Sequence, residues 1–292
     1  MLKLILKRLK HFSNKLLNAS IVMNILYMAY RYIKVLFKTK FTTLSVAHLK
    51  QRRKKNKLAI IGCGPSINNL PDDFFSHLAD YDIAAYSYAA LLPINITYYL
   101  YELPEGDLLT HHECFLYPEL CKKYKRGQIN NFILKNPHIK GGSLKEHFPD
   151  FVSSMTFPIQ VTAKKRIKLF LKLISGLGLA KSYFFQVRAS LFSTCYWGDA
   201  LGYDEILLIG IDLNSPEYFY EKPSKWLDQP IPNPLFHVKE SFDVHPTNDD
   251  SLGVRVEDGL TLLAGHIEAK IKVQSQNSLL AKYFPVKNLV GE

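Results

Sequence analysis

The apolar residues of this chain recur with two different periods, and the change from one to the other falls near residue 57. Before that point, apolar residues recur at helical spacing among lysines and arginines: Leu2, Ile5, Leu6, Leu9, Phe12 and Leu16. After it, short continuous apolar runs alternate with segments of helical pattern. The pattern predicts a basic, amphipathic helical region over residues 1–57 and a separate domain of strands and helices over residues 58–292.

The apolar runs of the second region have the length and composition typical of buried strands. The predicted strands cover residues 58–62, 81–88, 96–102, 130–136, 204–213 and the start of the stretch 266–284. Helical patterns fill the stretches 71–79, 112–127, 164–175 and 187–202, and a short helix closes the stretch 266–284. This alternation indicates an α/β fold in which a mostly parallel sheet is covered by helices on both faces.

Polar and glycine residues follow several of these strands. Parallel α/β sheets bind ligands beyond the carboxyl ends of their strands, and that edge collects residues 62–66 ("GCGPS"), Ser87, Glu102 and residues 212–214. The first of these turns supplies free backbone N–H groups and a hydroxyl beside a helix start, which is a place for a phosphate. It lacks the third glycine of the dinucleotide fingerprint and the lysine of a P-loop, so a simple chain reversal is an equal alternative.

The charge of the chain is distributed unevenly. Of the 37 Lys and Arg that give the net charge of +11, 15 lie in residues 1–57, which contain no Asp or Glu, so the remaining domain is mildly acidic. Basic helices with an apolar face lie in the interface of anionic membranes, which predicts a peripheral protein on the cytoplasmic face of the bacterial inner membrane. The alternative is that these faces pack on the body or on a partner subunit of a homo-oligomer.

Three other interpretations of the first region are disfavoured. The apolar run over residues 19–30 is short for a spanning helix and is followed by Arg31 and Lys34. No small-residue cleavage site follows it, as a secretory signal would require. We expect no nucleic-acid partner, because the basic residues interleave with apolar ones instead of forming a separate patch.

Three stretches in order along the chain carry a family resemblance: "GCGPS" at 62–66, "LGYDEILLIGIDLN" at 201–214 and "QNSLLAKYF" at 276–284. Together they resemble the bacterial lipooligosaccharide sialyltransferases of glycosyltransferase family 42. The resemblance implies a Rossmann-like fold with a mobile lid, at about 215–250 in this chain. It also implies inverting, metal-independent transfer of a sialic or related ulosonic acid from a CMP-sugar donor to a lipid-linked or surface glycan acceptor, as in lipooligosaccharide or capsule synthesis, without a cofactor.

The resemblance also implies roles for individual residues. His245 corresponds to the general base, with His237 as the other candidate, and either Tyr218 or Tyr220 would assist the leaving phosphate. The residues expected to contact the donor are Gly62, Cys63, Gly64 and Ser66 near the phosphate, Arg188 and Ser190 at the donor carboxylate and phosphate, and Asn277 and Ser278 around the nucleotide. Asp212 is expected either to bind the ribose or to cap the next turn.

The chain departs from the family pattern on the donor side. Cys63, Ser87 and Glu102 stand where the family carries asparagine, and Asn214 replaces a tyrosine. These differences leave open a donor other than N-acetylneuraminic acid, such as a CMP-activated Kdo or legionaminic-type acid. A non-catalytic nucleotide-binding module at the membrane is the alternative from a different class. No Asp-x-Asp motif demands a metal ion, and the "HHE" stretch at 111–113 is interpreted as part of a polar loop.

Overall fold

A computed structural model describes residues 42–43, 46–102, 107–135, 152–155, 164–176, 187–232, 244–249 and 254–290. Within these ranges the chain forms eight strands: β1 Thr42–Thr43, β2 Lys57–Ile61, β3 Tyr81–Tyr86, β4 Tyr98–Glu102, β5 Phe132–Lys135, β6 Val152–Met155, β7 Glu205–Ile209 and β8 Lys270–Val273. The α-helices described there are α1 Val46–Gln51, α2 Asp107–Phe115, α3 Tyr117–Lys125, α4 Lys164–Gly176, α5 Ser190–Ala200 and α6 Val256–Ala264. Short 3₁₀ helices occupy Pro65–Asn69, Phe74–Leu78, Ser87–Leu91, Pro246–Asn248 and Leu279–Lys282.

The strands form one sheet in the order β1-β6-β5-β4-β3-β2-β7-β8, and every pairing in it is parallel. From β2 the chain adds β3, β4 and β5 toward one edge of the sheet, whereas β7 lies on the other side of β2 and is followed outward by β8. The strand order therefore reverses between β2 and β7, which is the switch point of the sheet. This is the position at which open α/β sheets bind ligands.

Alternate residues of the central strands belong to two separate cores, one on each face of the sheet. In β2, Leu58 and Ile60 pack with the helices α4, α5 and α6, whereas Ala59 and Ile61 pack with the 3₁₀ segments and α3 on the opposite face. Helix α5 is buried at nine of its 11 residues, which explains why its apolar residues are not confined to one face. The predicted α/β fold with helices on both faces is confirmed.

Several elements differ from the sequence-based prediction. The helical stretch 112–127 belongs to two helices, because the first ends at Phe115 and α3 begins after Leu116 with Pro118 in its first turn. The segment 71–79 contains a 3₁₀ helix instead of an α-helix. Strands β1 and β6 and helix α6 were not predicted, although Val256, Leu260 and Leu263 recur in α6 at helical spacing and are fully buried.

The basic segment before β2 is part of the folded domain. Leu49 of α1 is fully buried in the core, and the Lys54 backbone N–H donates to Asp82 at 2.9 Å. This stretch is the end of the region predicted to be basic and amphipathic, and the structure packs it against the sheet. The predicted membrane-binding helices of residues 1–41 lie outside the described residues. Within the part of the chain that the structure describes, no helix is both long and apolar enough to cross a bilayer.

Candidate active site at the carboxyl edge of the sheet

A cavity of about 290 Å³ opens at the carboxyl edge of the sheet, between the loops that leave β2 and β7. The first residues of α5, Val256 at the start of α6 and the turn at 245–247 complete its wall. The predicted site residues that line it are Gly62, Cys63, Gly64, Ser190, Asp212, Tyr218 and His245. The sheet topology thus brings together residues from distant parts of the sequence.

Glycines at 62 and 64 allow the loops that leave β2 and β7 to run side by side. A Cβ atom on Gly62 would lie 2.6 Å from the carbonyl oxygen of Gly210, and a Cβ on Gly64 would lie 2.4 Å from Asp212 Oδ2. The Gly62 N–H donates to the carbonyl of Ile209 and the Gly64 N–H to that of Gly210, both at 2.8 Å. These hydrogen bonds continue the β2–β7 pairing beyond the ends of the strands.

The amides of this turn are therefore engaged within the protein. Besides those of Gly62 and Gly64, the Ser66 N–H donates to Asp212 Oδ2 at 2.9 Å. The prediction that the turn offers free N–H groups to a phosphate is wrong at these three positions. The turn forms part of the cavity wall, and an anion in the cavity would have to accept hydrogen bonds from other groups.

Asp212 is a buried carboxylate that faces the cavity. Its side chain is only 5% exposed, and Oδ1 has no hydrogen-bond partner among the described residues. Burial raises the pKa of Asp212, and the contacts with Ser66 oppose this rise in part. A ligand hydroxyl or amine that donated to Oδ1 would relieve the unsatisfied acceptor, so Asp212 is suited to hold a polar ligand group.

Asp212→Asn is expected to stabilise the free protein, raising its unfolding midpoint at pH 7 by about 2–4 °C, the shift produced by roughly 1 kcal/mol in a domain of this size. The pKa of Asp212 is higher in the folded state than in the unfolded chain. The wild-type free energy of unfolding therefore decreases as pH rises from the unfolded-state pKa to the folded-state pKa. The advantage of the variant should disappear as pH falls below about 4. Thermal unfolding of both proteins between pH 4 and 8 measures this difference in stability. Asp228→Asn, at an exposed position, is the control. An Asp212→Asn variant that is less stable than the wild type at every pH would contradict the prediction.

Backbone strain is concentrated at the same edge of the sheet. Ser87, Arg188 and Leu213 have φ angles of 42°, 57° and 62°, in the left-handed region that non-glycine residues rarely adopt. Ser87 follows β3, Arg188 precedes α5, and Leu213 follows Asp212. Such conformations persist where the surrounding structure enforces them, and they are common at functional sites.

The turn that carries His245 is tied to two of these strained residues. The His245 N–H donates to the carbonyl of Leu213 at 3.2 Å, and Arg188 Nη2 donates to the carbonyl of Pro246 at 2.6 Å. The imidazole accepts a hydrogen bond from the Thr247 N–H and thereby caps the 3₁₀ helix Pro246–Asn248. Arg188, which had been predicted to contact the donor, therefore has a structural contact that holds the His245 turn.

The first part of the predicted lid, residues 215–232, packs on the turn that follows β2. The Phe219 N–H donates to the carbonyl of Cys63 at 2.9 Å, and the Trp226 indole N–H donates to that of Ile67 at 2.9 Å. The ring of Tyr218 meets that of His245 edge-on at 5.7 Å and stacks on Tyr220 at 5.3 Å. Burial raises the pKa of Tyr218 well above its usual range, so its hydroxyl stays protonated at neutral pH and can donate.

The remaining predicted residues lie around the cavity without lining it. Tyr220 lies behind Tyr218 and is buried against Tyr88, at 4.4 Å between ring centroids. Ser278 Oγ donates to the carbonyl of Ile211 at 2.6 Å. Asn214 is exposed and its Nδ2 donates to the carbonyl of Asn277 at 2.9 Å. The stretch that contains Asn277 and Ser278 thus supports the turn that holds Asp212.

Ser87 and Glu102 lie farther along the same edge and are not part of the cavity wall. The Ser87 carbonyl accepts from the Tyr99 hydroxyl at 3.2 Å, and Glu102 is exposed at the end of β4. Among the polar residues of the cavity wall, sequence reasoning did not single out Tyr86, Ser215 and Thr247. For Thr247 the signal was its position two residues after His245, within a Pro-Thr-Asn stretch that favours a turn.

Metal binding finds no support among the described residues, where no group of three or more His, Cys, Asp or Glu side chains lies together. The "HHE" stretch lies in helix α2 and not in a loop, and its adjacent histidines have separate partners. His111 contacts the Tyr88 hydroxyl at 2.5 Å, whereas His112 contacts the Tyr101 hydroxyl at 2.8 Å. Burial lowers the pKa of His112 to about 4, so it is neutral at physiological pH.

The fold and the cavity define a parallel α/β protein with a candidate ligand site at the switch point of its sheet. Solved structures with a similar fold are sialyltransferases. A variant of Cst-II, a sialyltransferase of Campylobacter jejuni, in complex with CMP superimposes with a TM-score of 0.50 at 20% identity, over 81% of this chain and 88% of that one. At this identity the likeness establishes the fold.

Two further structures from Campylobacter jejuni are similar. The monofunctional α-2,3-sialyltransferase Cst-I has 18% identity and a TM-score of 0.44, covering 87% of this chain and 86% of that chain. An α-2,3-sialyltransferase in apo form has 17% identity and a TM-score of 0.45, with 81% of each chain covered. No family model matches the sequence, and no curated protein matches it.

Proposed function

We propose that this protein is a glycosyltransferase that moves a sialic acid or related ulosonic acid from a CMP-activated donor to a glycan acceptor. The observation that carries the proposal is the cavity at the β2–β7 switch point. Its wall combines the buried carboxylate of Asp212, the hydroxyl of Tyr218, which can donate a hydrogen bond, and the imidazole of His245. The shared fold with a sialyltransferase that was crystallised with CMP supports it.

The start of helix α5 is the best candidate to bind the donor phosphate. Ala189, Ser190 and Leu191 line the cavity there, and Ala189 is the N-cap residue. The first N–H groups of a helix have no acceptor within the helix, and the helix dipole makes that end positive. Together with the protonated Tyr218 hydroxyl, this end of α5 would stabilise the charge that develops on the departing phosphate.

Transfer would proceed by direct displacement. The acceptor hydroxyl oxygen attacks the anomeric carbon from the face opposite the phosphate, the bond from that carbon to the phosphate oxygen breaks, and CMP leaves with the electron pair. The proton of the acceptor hydroxyl passes to His245, because an imidazole can take up a proton near neutral pH. These steps invert the configuration and use only the chain's own residues, so we propose that no metal ion or cofactor takes part.

We further propose that the acceptor is a lipid-linked or bacterial surface glycan. The basic, amphipathic segment of residues 1–41 would hold the enzyme at an anionic membrane surface, where such an acceptor is found. The cavity has Cys63 in its wall, where the family that the chain resembles carries asparagine. This substitution favours testing donors beyond N-acetylneuraminic acid.

The function is tested by CMP release from a panel of donors: CMP-activated N-acetylneuraminic, legionaminic and Kdo-type acids, each with the full-length protein in detergent and a glycan acceptor. We expect CMP release from at least one donor. We also expect that EDTA at about 10 mM, a large excess over the enzyme, leaves the rate of release unchanged. Loss of release in EDTA would overturn metal independence. CMP binding without release from any donor would instead favour the non-catalytic nucleotide-binding module.

A further inference from the structure

The imidazole of His245 has two contacts at the same ring nitrogen, and both come from Thr247. Its Nδ1 lies 2.8 Å from Thr247 Oγ1, and the Thr247 backbone N–H donates to it at 3.3 Å. The backbone N–H can only donate, so it is compatible with an Nδ1 that carries no proton. The hydroxyl can donate or accept, so it is compatible with either form of the ring.

These two contacts favour opposite tautomers of the neutral imidazole. A ring whose Nδ1 accepts the backbone N–H carries its proton on Nε2, and it cannot take another proton there as a base. A ring that acts as a base through Nε2 carries its proton on Nδ1, and that proton needs an acceptor. Thr247 Oγ1 is the one of these two groups that can accept it.

We propose that Thr247 is a positioning residue for His245, which selects the base-competent tautomer by accepting the Nδ1 proton at its hydroxyl oxygen; this inference rests on the proposed function of His245 as the base. When the acceptor hydroxyl loses its proton to Nε2, both ring nitrogens carry hydrogen. The Nδ1–H then donates to Thr247 Oγ1, so the same hydroxyl stabilises the imidazolium that forms. A third group that orients a catalytic base in this way recurs in enzymes of unrelated fold.

The surrounding structure makes this pairing fixed. The His245 turn is held by the carbonyl of Leu213 and by Arg188, and the Asn248 N–H donates to the carbonyl of His245 at 2.7 Å. Asn248 is buried, and its Oδ1 accepts from the Glu257 N–H at 3.3 Å, which ties the turn to the start of α6. Residue 247 therefore keeps its backbone N–H at Nδ1 whatever its side chain is.

Thr247→Val is the sharpest test, because it removes the hydroxyl and keeps the branched shape and the backbone N–H. The backbone N–H would then be the only one of the two contacts left at Nδ1, and it favours the tautomer with the proton on Nε2. We expect kcat for transfer to fall by about 10- to 100-fold while KM for the donor changes less than about twofold. Thr247→Ser, which keeps the hydroxyl, should restore most of the rate.

A matched control is Thr261→Val on helix α6, where the hydroxyl bonds to the carbonyl of Glu257 at 2.8 Å; it should leave kcat unchanged. The second readout does not depend on activity. Nitrogen-15 NMR of the histidine rings, with His245 assigned from a His245→Gln spectrum, reports which ring nitrogen carries the proton. We expect Thr247→Val to increase the fraction protonated at Nε2, and Thr247→Ser to keep the wild-type ratio.

The outcomes separate the inference from the proposed function. A wild-type protein without transferase activity on any donor would remove the proposed function, whatever the NMR spectra show. An active wild type whose rate and tautomer ratio are both unchanged in Thr247→Val would overturn the positioning role and leave the proposed function standing. A rate that falls equally in Thr247→Val and Thr247→Ser, with an unchanged tautomer ratio, would also overturn it, since it would indicate a packing effect.

Discussion

Replacing His245 by glutamine is expected to lower kcat for transfer by about 10²- to 10⁴-fold, the range that a lost general base produces. Glutamine keeps the size and polarity of the side chain, but it cannot take the proton of the acceptor hydroxyl. The nucleotide should still bind, because the groups proposed to meet the donor lie on the β7 loop and at the start of α5. Steady-state CMP release and calorimetric binding of CMP, measured on the same preparations, separate the two effects.

His266→Gln provides the matched control, since His266 is exposed and its Nδ1 bonds to the carbonyl of Leu262 at 2.9 Å. It should retain the wild-type rate. The assignment of the base would be wrong if His245→Gln kept more than about a tenth of the wild-type rate. In that case His237, the other candidate from the sequence, would be the next residue to substitute.

The fold was predictable from sequence because the central strands are continuous apolar runs with clear ends. The runs at 58–62, 81–88 and 96–102 became β2, β3 and β4, and the buried β7 lies within 204–213. Strand β6, Val152–Met155, was missed because its sequence contains two serines and lacks an apolar run. It is a strand because it pairs with β5 and β1, and such pairing overrides local propensity.

The location of the candidate site was predictable for a related reason: the carboxyl ends of parallel strands meet at one edge. The hydrogen bonding within the candidate site was not predictable from the sequence. Whether the amides of Gly62 and Gly64 are free depends on the path of the chain after β7, where Gly210 has a φ of 63° and brings its carbonyl to Gly64. The pattern around residues 62–66 contains no information about that second loop.

Gly62→Ala is expected to destabilise the protein by about 1–3 kcal/mol, a cost typical of overpacking. The new Cβ would lie 2.4 Å from Ile211 Cδ1 and 2.6 Å from the carbonyl oxygen of Gly210. The isoleucine side chain can turn away, but the carbonyl belongs to the backbone and accepts the Gly64 N–H at 2.8 Å. The loops after β2 and β7 would have to separate, so binding of CMP should weaken along with stability. Denaturant unfolding and CMP titration measure the two effects.

Two further variants show which contact causes the loss. In Gly265→Ala, the nearest atom to the new Cβ is the carbonyl oxygen of Leu262, at 3.7 Å. This variant should change the free energy of unfolding by less than about 0.5 kcal/mol. Adding Ile211→Val to Gly62→Ala removes the Cδ1 atom and leaves the backbone contact, so the double variant should stay almost as unstable as the single one. Full recovery in the double variant would show that the side chain of Ile211, and not the close approach of two backbones, requires glycine at position 62.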